Sequence, residues 1–149
     1  MHEEFRQNLG EVLRGIETAS IISITFPLLR KSLVLDTRCA RGDDPLVKIL
    51  PMAGSIEERY RSIRRLRPHL PKPENMAVIP WTRHTDSLVH LGVWRRLVER
   101  FVDLGSKGAV HALQDALEEL RQLERMELVA VIKGENYHTL WSRERDGRR

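Results

Sequence analysis

Cysteine is nearly absent: one residue in 149, which excludes an internal disulfide framework and any multi-cysteine zinc site. Aromatic residues make up 5% of the chain, so a stacking surface would have to be built from very few rings. There is no long hydrophobic run. The most apolar stretch, residues 21–29, is broken by Ser23, Thr25 and Pro27 and falls short of the roughly 20 residues that a membrane helix requires. The opening Met1-His2-Glu3-Glu4 is acidic and lacks the basic-then-apolar layout of a secretory signal. No glycine-rich phosphate loop and no His-Glu-x-x-His pair occurs. These absences lead us to expect a cytoplasmic protein with no membrane contact, no metal and no cofactor.

What is present suits one domain spanning residues 1–149, with a charged tail over 143–149 that is expected to fray. Hydrophobic residues account for 41% and charged residues for 31%, with a net charge of +4. Lysine supplies only five of the 25 basic side chains; the rest are arginines, whose planar fork suits phosphate and carboxylate alike. A bias of +4 is mild for a nucleic-acid binder.

Periodicity predicts helices over 5–16, 55–67, about 86–104 and about 107–126, and strands over 20–26, 32–38, 46–52, 76–81, 128–132 and 137–141. The expected architecture is therefore α+β: a mixed, mainly antiparallel sheet of about six strands, with helices packed mostly on one face. Ser55 and Glu58 have capping-box spacing at the start of the second helix. Strand 46–52, helix 55–67 and strand 76–81 would form a crossover if both strands join one sheet. Lys133-Gly134-Glu135-Asn136 reads as a hairpin turn. The last third, from Leu117 through Gly134 to Tyr137 and Trp141, resembles the recognition helix and wing of winged-helix DNA-binding proteins. The exposed helix face there bears Asp115, Glu118 and Glu119, which would repel phosphate, so no residue role is carried over from that likeness.

Three constellations could carry function. Arg61, Arg64 and Arg65 share an outward arc of helix 55–67, opposite the stripe of Ile56, Tyr60, Ile63 and Leu66. With Trp81 and Arg83 as a stacking platform beside a cation, they would form a nucleic-acid surface; a capped, solvated helix accounts for the same arginines. Asp36, Arg38 and His84 could form a small catalytic centre near 36–44 and 81–86, with Cys39, between arginines, as a candidate low-pKa thiol. His84, Asp86 and His90 have a spacing open to paired metal ligands, but no third ligand is evident. None of these joins spacing to role firmly enough to define chemistry. The expected function is a non-catalytic binding or interaction module with a protein partner or a second copy of itself, meeting through an edge strand or the long helix. Nucleic-acid binding and a small enzyme are the alternatives.

Overall fold

The computed structural model describes residues 2–40, 44–81 and 87–134. Four strands, β1 (Ile21–Phe26), β2 (Lys31–Asp36), β3 (Leu46–Pro51) and β4 (Met76–Pro80), form one mixed sheet in the order β3-β2-β1-β4. β1 pairs antiparallel with β2 and parallel with β4, and β2 pairs antiparallel with β3. Four helices accompany it: α1 (His2–Thr18), α2 (Ile56–Leu66), α3 (Ser87–Asp103) and α4 (Lys107–Lys133). The α+β class and the mixed sheet are as expected, but the sheet has four strands rather than about six.

The correction falls at the C-terminus. Residues 128–132 are helical, not extended. Their β-branched composition favours a strand only weakly, whereas Leu113, Ala116, Leu120, Leu123 and Ala130 are all buried at helical spacing along α4. No breaker interrupts that line before Gly134, whose φ of +68° suits a residue just beyond a helix end. Gly134 thus follows the helix instead of turning a hairpin, and the winged-helix likeness loses its first wing strand. The second predicted strand, 137–141, and the tail lie outside the described residues.

Each strand alternates between two cores. Ile22, Ile24, Phe26, Leu33, Leu35, Val47 and Ile79 face α1, α3 and α4. Ile21, Val34 and Leu46 face α2 through Ile63. Every residue of β1 is buried because it is covered on both faces. β3 and β4 do share a sheet and point the same way, yet they are its two edges, so the α2 connection spans β2 and β1.

Helix ends are held by side chains. Ser55 Oγ accepts from Glu58 N at 3.1 Å, and Glu58 Oε2 accepts from Gly54 N at 3.1 Å. The capping box therefore forms, with its return bond one residue earlier than the usual partner. α2 is rotated relative to the expected stripe. Ile56 is exposed while Arg59 turns inward beside Ile63, leaving its Nε buried and without a hydrogen-bond partner among the described residues; an arginine stem can cover apolar surface in this way. α1 has no basic residue in its last turn. Arg100 of α3 supplies the cation instead, donating to the Ile16 carbonyl and, at 2.8 Å, to the Ala19 carbonyl. Burial pushes the Arg100 guanidinium below its ordinary range. Asn75 ties the same corner, donating to Thr18 O at 3.1 Å and accepting from Ser20 N at 2.8 Å.

Candidate functional site

Of the catalytic candidates read from the sequence, the structure brings Asp36 and Arg38 together, while His84 lies outside the described residues. Asp36 ends β2 with its side chain fully buried. Its Oδ1 accepts from Arg38 N at 3.0 Å and Arg38 Nε at 3.1 Å, and its Oδ2 accepts from Arg38 Nη2 at 2.8 Å. Arg38 Nη1 also reaches the Pro71 carbonyl. The hydrogen bonds to Asp36 hold the Arg38 guanidinium above its ordinary range, against the opposing pull of burial. A general base needs an oxygen within reach of its substrate. This carboxylate is instead folded onto the next residue but one, as a strand-end clasp.

Cys39 is buried. Burial pushes its thiol up, reinforced by Asp36 and only partly offset by Arg67 and Arg38. The candidate low-pKa thiol is thus corrected: proximity to arginines loses to desolvation. Native protein at pH 7.5 should react with a thiol reagent at least about 100-fold more slowly than protein in denaturant. In the unfolded chain the thiol ionises near its ordinary 9.0, below its folded value. The unfolded state therefore loses its proton first, and stability falls as pH rises past about 9. A Cys39→Ala variant should remove that dependence, as measured by urea melts at pH 8 and 10.

Arg61, Arg64 and Arg65 are exposed on α2, with Glu57 and Glu58 in the same helix's first turn. Arg64 Nη1 donates to Tyr60 Oη at 3.0 Å. Trp81 lies elsewhere. Its backbone N donates to Thr25 O at 2.8 Å, and its side chain is buried rather than offered as an open platform. Arg83, His84, Asp86 and Arg41 lie outside the described residues, as does the side chain of His90. No cluster of three or more His, Cys, Asp or Glu placed to hold a metal occurs among the described residues.

Trp81 leads to a cavity that sequence reasoning missed. Its ring sits between Phe26 at 6.0 Å and Trp94 at 5.1 Å, both tilted, so three of the chain's few aromatic rings form one cluster. They border a groove of about 590 Å³. One end is built by the β1–β2 turn, closed by Arg30 N donating to Pro27 O at 3.3 Å, which places Leu28 and Leu29 at the groove. Leu91 and Trp94 of α3 form one side. The other is a single face of α4, where Gln114, Leu117, Arg121, Glu124 and Leu128 recur at three- and four-residue spacing, joined by Glu118, Leu120 and Glu127. Leu28, Leu91 and Leu128 are exposed at the mouth.

Volume and lining match an organic-ligand pocket: a few hundred Å³, mostly apolar, with a small set of polar groups. The polar groups are acidic in excess. Arg121 lies 3.9 Å from Glu118 in a solvated pair, and Glu118 also accepts from Gln122 Nε2 at 3.1 Å. Glu127 is half-buried, and its Oε2 is shut off from solvent with no hydrogen-bond partner among the described residues. Such an oxygen costs about 1–3 kcal/mol, more if charged, unless something meets it.

No family model, curated protein or solved structure matches this chain.

Proposed function

We propose that the protein is a non-catalytic binding module whose ligand is a small organic molecule held in the groove between the β1–β2 turn, α3 and α4. One observation carries this reading. A 590 Å³ groove bordered by Phe26, Trp81 and Trp94 opens through exposed leucines, and exposed apolar surface gathered at a concavity is the usual mark of a binding site. The residues that resemble reactive groups support it from the other side, since Asp36 and Cys39 are buried within their own contacts.

The test is calorimetric titration with 2-(1-naphthyl)ethanol, a neutral bicyclic probe. A fragment of that size should bind with Kd on the order of 0.1 mM. Leu117→Trp, which fills the groove, and Leu28→Glu, which puts a charge at its exposed mouth, should each weaken binding at least about tenfold. Because Leu28 is exposed, its variant should melt within a few degrees of the parent. Unaltered binding in both variants would sink the proposal.

A further inference from the structure

We infer that α2 carries a second binding surface, one that takes the phosphate backbone of double-helical DNA through Arg61, Arg64, Arg65 and Lys72. It lies across the sheet from the groove and goes beyond the small-molecule reading. Residues 56–72 hold six cationic side chains against two carboxylates, an excess as large as the +4 of the entire chain. On the other face of the sheet, α1, α3 and α4 together carry more acids than bases. Positive charge is thus gathered on one side, where it raises the local concentration of a polyanion.

Two of the six cations are engaged within the fold. Arg59 turns inward, and Arg67 Nη2 donates to the Asp44 carbonyl at 3.1 Å. The other four are exposed and enter no ion pair among the described residues. Tyr60 orients two of these without neutralising them. Its Oη accepts from Arg64 Nη1, and Lys72 Nζ stands 5.8 Å from its ring centroid. The helix dipole accounts for Arg64 and Arg65 in the last turn, but not for Arg61 or Lys72.

The character of the surface selects its occupant. Arginine's planar fork matches the oxygens of a phosphate. Beyond Glu58, every exposed side chain of α2 is an arginine, so a peptide or a membrane would find no apolar anchor beside the cations. A single strand is held by bases stacked on open rings, whereas Trp81 is buried and Tyr60 already faces Lys72. A duplex needs neither, because its phosphates line a major groove wide enough to admit a helix.

The experiment follows the fluorescence anisotropy of a labelled 20-base-pair DNA duplex titrated with the full chain at pH 7. In 50 mM NaCl the Kd should be on the order of 10 μM, weakening with salt at a log–log slope of about −3 to −4. Arg61→Gln/Arg64→Gln/Arg65→Gln should lose at least about tenfold in affinity and flatten the slope to about −1. Lys107→Gln/Arg125→Gln/Lys133→Gln removes the same charge from exposed positions on α4 and should bind within about threefold of the parent. No duplex binding, full retention in the α2 variant, or equal losses in the two variants would overturn the proposal. So would tighter binding to the single strand, to a 20-residue polyglutamate or to phosphatidylserine vesicles, each of which assigns the surface to another partner. The α2 variant should still bind 2-(1-naphthyl)ethanol as the parent does, so this surface and the groove stand or fall separately.

Discussion

Replacing Arg38 with alanine should lower the stability of the protein by about 3–5 kcal/mol, measured as a drop in urea midpoint at constant m-value. The reason is asymmetry. Arg38 is partly exposed and can lose its partner cheaply, but the Asp36 carboxylate is wholly buried and receives two of its three hydrogen bonds from the Arg38 guanidinium. Deleting the guanidinium leaves a charge in a setting shared with Ile21 and Leu46, its neighbours across the strands. Substituting both members, as Asp36→Val with Arg38→Met, should restore much of the loss, because a buried ion pair contributes little over well-packed apolar groups. A single-variant cost below about 1 kcal/mol would show that the clasp is not structural and would reopen Asp36 as a chemical group.

Phe101→Ala should cost a similar amount, about 3–5 kcal/mol. Phe101 is among the largest fully buried side chains and sits in the core shared by α1, α3 and α4. Removing a ring from such a site forfeits its transfer energy and leaves a void that the surrounding helices close only in part. Since α3 also supplies Leu91 and Trp94 to the groove, probe binding should weaken alongside stability. A loss under about 1.5 kcal/mol would mean that this core collapses readily around the gap.

Much of the fold was legible because it is written locally. β1 and β2 show alternating or continuous apolar patterns, and Ser55 and Glu58 announce their helix three residues apart. Residues 128–132 misled because their composition favours a strand while their spacing continues a helix, and a packed helical face outweighs propensity. Ile56, at the start of the expected stripe, is exposed for a related reason: a stripe counted on one helix does not say where the sheet beneath it ends. The groove was illegible, apart from Trp81, because its lining comes from four separate stretches of chain. Two signals were available. Leu28 and Leu29 follow a proline at a turn, where polar residues are the rule, and Gln114, Leu117, Arg121, Glu124 and Leu128 recur at three- and four-residue spacing along α4.

Arg100 sets a condition on synthesis. The C-terminal end of α1 that it closes is made first, yet the side chain that closes it is residue 100, and β4 reaches β1 only after residue 80. A nascent chain emerging in order can pair β1, β2 and β3 early, but β1 keeps an open edge until β4 arrives. Stalled ribosomal chains cut after residue 60 should therefore be digested by protease as readily as unfolded chain, and those extending beyond α3 should begin to resist. The protein commits to its shape late, when most of its length is already in solution.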